Sequence, residues 1–316
     1  MVTLDTPVVL VFFNRPHTLR RVFDKVREAR PRRLFLAQDG PREGRDDAVQ
    51  VRACREIVAD VDWECEVSTR YLDANMGCGL GPATAIDWAL KQVDRAIILE
   101  DDCVPADSFF RFCQEMLNRY EKDLRVGMVS GLNHFGSYDF GGSSYGFVKA
   151  GSIWGWATWA SRWALHDYSA SVIEDDYIRA RLRDEITPRW AADRRIRLWQ
   201  SAAQTPLDES DYWDVQWGLT RHVNSWLTVV PSVNQITNIG MGGESSHFAK
   251  GIPRSQKHLF GMSVRPLEFP LQHPDHLLSD RRYDELEYRI LFPPRHEMYA
   301  ASMGSRLSSF WPWRAR

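Results

Sequence analysis

A chain of 316 residues with 44 % apolar and 26 % charged residues has the profile of a soluble globular protein with a sizeable core. Its formal net charge of −2 gives no bulk attraction toward nucleic acid, so a nucleic-acid partner is not expected. Five cysteines, an odd number without CxxC or Cys/His spacing, argue against a disulfide frame or a zinc site and for reduced thiols.

The N-terminal apolar run, 8–13, covers only six residues and lacks the basic start of a signal peptide. No run approaches the roughly 20 apolar residues of a membrane helix. A cytoplasmic protein is the expectation. The tail mixes Phe310, Trp311 and Trp313 with Arg306, Arg314 and Arg316, which suits either peripheral contact with the inner face of a membrane or a disordered terminus. The 13 tryptophans fit either ligand walls or core packing.

In chain order, "PVVLVFF" (7–13) is a continuous β-branched and aromatic run, the pattern of a strand buried on both faces. "NRP" breaks it. Leu19, Val22, Phe23 and Val26 then recur at helical spacing. "RLFLAQDG" (33–40) predicts a second strand, and Asp46–Asp47 open a helix carrying Cys54, Ile57, Val58 and Val61. "CEVSTRYL" (65–72) predicts a third strand. "NMGCGLGP" (75–82) reads as a Gly-rich loop before a helix with Ile86, Ala89, Leu90 and Val93. "AIILE" (96–100) is a fourth strand, and Asp107 is placed to cap the helix that follows. "VGMVSG" (126–131) is a fifth strand. Alternating β and α with short connections over the first ~130 residues predicts an α/β domain with a mostly parallel sheet. Beyond it, helical patterns near 174–203 and 208–224 precede a short strand at 225–231 and a Gly-rich polar loop at 234–248. From about 255 the chain shows little period and reads as irregular.

Three strand ends are polar: Asn14–Arg15, Gln38–Asp39 and Glu100–Asp101–Asp102. Ligands of parallel sheets bind beyond the carboxyl ends of the strands, so these ends would converge on one edge. Three adjacent carboxylates repel one another unless water solvates them or a cation sits among them. A strand-end trio suits a hard divalent cation whose shell is completed by water and substrate phosphates. The glycines around Gly77 lack the GxGxxG spacing and any P-loop lysine; they fit a tight turn or a close approach of backbone to a phosphate or sugar.

Together "VFFNRP", "LAQDG", "DANMGCG", "ILEDDCVPADSFFRF", "GWATW", "YWDVQW" and "GMGGESSHF" resemble the glycosyltransferases of GT-A fold. The likeness is to N-acetylglucosaminyltransferase I and to bacterial enzymes of family-2-like type, and it spans 7–250. It implies a Rossmann-like nucleotide-diphospho-sugar transferase fold, with a mostly parallel central sheet covered by helices on both faces. It also implies one catalytic domain, 1–250, split into a nucleotide-sugar half (1–131) and an acceptor and catalytic half (132–250), before an irregular extension, 251–316. By this resemblance Arg15 matches the basic residue near the donor diphosphate, Asn14 and Gly77 belong to the donor-binding set, and Asp39 matches the acid that holds a pyrimidine base. Glu100 and Asp101 match contacts to donor sugar and ribose, and Asp102 matches the ligand of Mn2+ or Mg2+.

Inverting transfer needs a general base for the acceptor hydroxyl. "SDYWDVQW" offers Asp214, whose Trp213 and Trp217 neighbours would desolvate it. The spacing departs from the shorter W-D-D-W of the resembled enzymes and leaves Asp211 as the alternative. Ser246 and His247, in "GMGGESSHF", would reach the diphosphate or metal from a closing loop; His247 equally fits a plain surface residue. In "SIWGWATW", Trp154, Trp156 and Trp159 share no helix face; at least one, with Trp156 foremost, is expected to form a ligand wall. The function expected is metal-dependent, inverting transfer from a UDP-linked sugar, GlcNAc by resemblance, to a glycan or glycolipid hydroxyl. A sugar-1-phosphate nucleotidyltransferase and a non-catalytic nucleotide-sugar or glycan-binding module are the alternatives. The former is disfavoured because "FFNRPHTLRR" holds no glycine after the first strand.

Overall fold

The computed structural model describes residues 4–210, 212–241 and 253–293. The opening apolar run forms β1 (Val8–Phe12), buried at all but Val11. Pro16 starts α1 (Pro16–Ala29) at the position where a missing N–H is harmless. That helix buries Leu19, Val22, Phe23 and Val26, the four residues its spacing picks out, and ends where Arg30 turns left-handed at φ 49°. β2 (Arg33–Gln38), α2 (Ala48–Val58) and β3 (Glu66–Tyr71) follow as expected.

The Gly-rich stretch is not a loop. α3 (Gly77–Leu90) begins inside it. Its start is fixed from outside, because the Asp39 carboxylate accepts from the backbone N–H groups of Met76 (2.8 Å) and Gly77 (3.1 Å). The glycines here also serve packing: a Cβ at Gly79 would stand 2.4 Å from the carbonyl oxygens of Leu207 and Ser210. β4 (Arg95–Glu100), β5 (Cys103–Pro105), α4 (Phe109–Arg119) and β6 (Val126–Ser130) come next. The cap position of α4 is Ser108, not Asp107, whose carboxylate instead pairs with Lys25 at 2.9 Å.

The Gly, Ser and aromatic stretch that carried no strand signal holds β7 (Tyr145–Val148) and β8 (Trp156–Trp159), each too short to show alternation. After α5 (Ala160–Trp163), the helical pattern near 174–203 divides at Pro188 into α6 (Asp176–Glu185) and α7 (Arg189–Gln204). α8 (Asp214–Val223), β9 (Leu227–Pro231) and β10 (Ile236–Asn238) complete this part. The extension read as irregular contains α9 (Arg281–Leu291), capped by Asp280, whose side chain accepts from Tyr283 N at 3.0 Å. Its periodicity is hidden because the buried face alternates Tyr283 and Tyr288 with Asp284 and Glu287.

Eight strands form one sheet in the order β3-β2-β1-β4-β8-β6-β9-β7. β3, β2, β1 and β4 run parallel; β8 is antiparallel to β4 and β6, β9 is parallel to β6, and β7 is antiparallel to β9. The sheet is mixed and mostly parallel, in an α/β fold. Successive residues of its strands face opposite layers. Val8, Leu10, Ile97 and Leu99 pack with α1 and α4, while Val9, Ile98 and Phe35 pack with α3 and with Trp217 of α8. Leu267 and Leu271 enter the first of these cores, and Tyr288 of α9 packs with Trp199 and Leu219, so the extension shares cores with the preceding chain. Among the described residues no helix is long and apolar enough to cross a membrane. The tail 294–316 lies outside the described residues.

Candidate functional site

The parallel run of β2, β1 and β4 brings their carboxyl ends to one edge, and a cavity of ≈ 330 Å³ opens there. Asn14, Arg15, Asp39, Gly77, Glu100, Asp101 and Asp102 all line it. The cation among the acids is part of the chain. Arg15 follows β1 and donates one arm of its guanidinium to Asp101 and the other to Asp102 Oδ2, at 2.9 Å to the latter. Burial alone would lower the Arg15 pKa; the two carboxylates outweigh it and push it above its ordinary value. Asp101 is 2 % exposed and also accepts from Phe13 N at 3.1 Å. Burial raises its pKa against the pull of Arg15.

Asp102 differs from Asp101 in its second oxygen. Among the described residues Asp102 Oδ1 receives only long contacts, 3.4 Å each, from Asn238 Nδ2 and Cys103 Sγ. Its backbone carbonyl accepts from Ile239 N at 2.9 Å, which ties the acid to the chain beyond β10. A Cβ at Gly240 would stand 2.2 Å from Asp102 Oδ2, so only glycine lets the chain pass there.

Asp39 is occupied more heavily than its motif suggests. Besides Met76 and Gly77, its Oδ1 accepts from Gly40 N at 2.9 Å. Burial raises its pKa and these three amides oppose the shift. Three bonds leave roughly one of the ~4 acceptor positions of a carboxylate for a ligand. Asn14 points away from the acids and donates to Asp47 Oδ1 at 2.7 Å. Asp47 also takes two bonds from Arg42, which with Asn14 hold its pKa down at about 2.

The opposite wall comes from the second half of the chain: Ile153, Trp154, Tyr212, Trp213, Asp214 and Phe260. Asp214 is the first residue of α8, so the candidate base enters the cavity from a helix start. Trp213 and Trp217 are buried beside it as the sequence spacing suggests. Of Trp154, Trp156 and Trp159 it is Trp154 that lines the wall, where it meets Phe260 edge-on at 4.9 Å. Trp156 does not line the cavity; at 1 % exposure it stacks behind Trp213 (5.8 Å, 29°). Its place on β8, between β4 and β6, dictates this, because both faces of that central strand are covered and all four of its residues are buried. Trp159 is likewise buried. Asp211, Ser246 and His247 lie outside the described residues.

Sequence reasoning missed Arg42, Arg70, Asn238 and Phe260 at the cavity. Arg70 is the penultimate residue of β3 and donates to Thr84 Oγ1 at 3.0 Å; its place near the carboxyl end of a strand was the available signal. Asn238 and Phe260 come from short or irregular segments that carry no period.

Asp102 is a carboxylate at the cavity that could contribute to holding a divalent cation. Among the described residues no group of three His, Cys, Asp or Glu side chains converges to hold a metal ion. The described residues fit a cation shared with a bound diphosphate, the usual arrangement for Mg2+.

No protein-family model matches the chain, and no curated protein matches it. Among solved structures, the chain is similar to a mannosyltransferase from Pyrobaculum calidifontis in complex with GDP-Man and Mn2+. The identity is 13 % over 71 % of this chain and 74 % of that one, with a TM-score of 0.37. It is also similar to a UDP-glucose pyrophosphorylase complexed with UDP-glucose, 11 % identical over 45 % of this chain and 62 % of that one, TM-score 0.26. Likenesses of this depth carry no functional argument, which rests on the cavity.

Proposed function

We propose that the chain is a glycosyltransferase that takes its sugar from a nucleotide-diphosphate donor. The observation that supports this is one cavity with two chemically distinct walls. Arg15, Asp101 and Asp102 stand at parallel strand ends on one side, and Asp214 at a helix start on the other. A phosphate-bearing leaving group suits the first wall and a proton-accepting carboxylate the second.

In this reading the donor diphosphate lies against Arg15, which exchanges a carboxylate for a phosphate oxygen. Asp102 would hold Mn2+ or Mg2+, which when bound would neutralise charge on the leaving group. Asp39 fixes the start of α3 through the amides of Met76 and Gly77 and keeps one acceptor position for a base N–H. Asp214 takes the proton of the acceptor hydroxyl as its oxygen attacks the anomeric carbon from the face opposite the diphosphate. Trp154, Trp213 and Phe260 exclude water, so the acceptor rather than solvent is glycosylated. The acceptor class is a glycan or glycolipid hydroxyl.

The test is release of nucleoside diphosphate from a panel of UDP- and GDP-linked sugars with Mn2+, in the native protein and in Asp102→Ala. Turnover in the native protein and none in the variant is expected. Pyrophosphate-dependent formation of a nucleoside triphosphate would instead identify a nucleotidyltransferase. Saturable binding without turnover toward any acceptor would identify a binding module.

A further inference from the structure

We infer that Asp284 and Glu287 of α9 are positioning residues for the cavity, holding the peptides from which the Ile153–Trp154 wall is built. The two acids sit one helical turn apart on the buried face of α9. Asp284 accepts from Lys149 N (3.0 and 3.1 Å) and Ala150 N (3.0 Å). Glu287 Oε1 accepts from Gly151 N at 3.0 Å. Three consecutive amides are thus taken by one helix. The carbonyls of the same segment are taken by another: Arg221 of α8 donates to Ala150 O at 2.5 Å and reaches Gly151 O at 3.4 Å. Two residues after Gly151 the chain becomes cavity wall at Ile153 and Trp154. The arrangement therefore ties that wall to the helix whose first residue is Asp214.

Stability alone does not explain this choice of side chains. Glu287 is 1 % exposed and Asp284 6 %, and burying carboxyl groups costs free energy that apolar side chains would not. What carboxyls supply is direction, an acceptor at each of three defined amides. The Gly151 backbone needs such holding, since its φ of +96° is a conformation that other residues avoid. Burial also raises the pKa of both acids, Asp284 to about 6 and Glu287 to about 7, so neither takes its charge cheaply. The second oxygen of Glu287 faces His134 Nδ1 at 3.5 Å, and neither atom has a hydrogen-bond partner among the described residues.

The inference rests on the glycosyltransferase reading only in naming the ligand, and its test separates the two. Amide hydrogen exchange is measured in the full chain for the native protein, Glu287→Ala and Glu287→Gln. Losing one amide acceptor should speed exchange across 149–155 by about tenfold in Glu287→Ala. The segment 77–90 on the opposite side of the cavity should keep its native rate. Gln retains the acceptor oxygen and should restore near-native exchange. Uniform acceleration over the whole chain, acceleration confined to 281–291, or equal behaviour of the two variants would overturn the inference. Should Glu287→Ala fail to fold, Asp284→Ala, with Asp284→Asn as the variant that keeps the acceptor oxygen, applies the same test at Lys149 and Ala150. With UDP-sugar and Mn2+ as probe, Glu287→Ala should weaken UDP-sugar binding more than UDP binding. A native protein that binds neither refutes the glycosyltransferase reading and leaves the exchange result to decide the inference.

Discussion

Two pairs of buried carboxyl groups lie on either side of this fold, and they are neutralised in different ways. Asp101 and Asp102 share a guanidinium, that of Arg15. Asp284 and Glu287 share backbone amides of 149–151. A side chain can swing toward a ligand; a peptide N–H cannot move without its chain. The first pair is suited to exchanging partners during a reaction, the second to holding a shape. The contrast also accounts for where each pair lies: the first opens on the cavity, while the second is enclosed behind its wall.

The largest expected effect breaks the chemistry while leaving both pairs intact. Asp214→Asn keeps a side chain compatible with the start of α8 but removes the proton acceptor. Donor binding by calorimetry should be unchanged and turnover should fall by about 10²–10⁴-fold, the usual contribution of a general base. A near-native rate would move the base to another residue, with Asp211 next in line.

A second substitution removes the exchangeable partner. Arg15→Gln leaves Asp101 and Asp102 buried without their cation, a class of change that costs about 3–5 kcal/mol. Urea unfolding should show a loss of that order. In the proposed reading a divalent cation and Arg15 compete for the Asp102 carboxylate, so Mn2+ without nucleotide should stabilise Arg15→Gln more than the native protein. Equal stabilisation of the two would mean that the Arg15 guanidinium and the metal do not share a site.

The first pair was legible in the sequence and the second was not, for reasons of pattern. Three acids after the apolar run of β4 contrast sharply with what precedes them, and β1, β2 and β4 are each continuous enough to read as buried parallel strands. The partner of those acids was not legible as such, since Arg15 lies more than 80 positions away and pairing across a sheet leaves no periodic trace. α9 hid because its buried face carries Asp284 and Glu287, which any hydrophobic template scores as solvent-facing. The first turns of α3 hid because glycines, normally a mark of turns, are required there by close backbone contact. Trp156 was misplaced because composition shows that an aromatic residue is present but not which side of a strand it faces. β8 settles that by turning Trp156 into the core and leaving Trp154, just before the strand, at the cavity.

The smallest effect sharpens the amide-held pair. An ordinary Glu carboxyl titrates near 4.5, and burial behind α9 raises Glu287 to about 7. A group whose pKa is raised by folding contributes stability that is complete below the unfolded value and is lost as pH rises through the folded one. The window is therefore about pH 4.5 to 7. Among the groups facing it, His134 is held down at about 3 by burial and stays neutral across the window. Arg221, lowered by burial to about 10, titrates above the window, and its charge, with that of Arg195, already opposes the upward shift. Asp284, raised to about 6, adds a slope in the same direction, present with or without Glu287. Subtracting the melting curve of Glu287→Gln from that of the native protein isolates Glu287. The difference should move against the native protein by on the order of 5 °C between pH 4.5 and 7. The Gln variant keeps the bond to Gly151, so the change reports the charge and not the loss of the acceptor. Parallel curves for the two proteins would mean that the proton sits on Asp284 instead, and that Glu287 holds Gly151 as a carboxylate stabilised by Arg221 and Arg195.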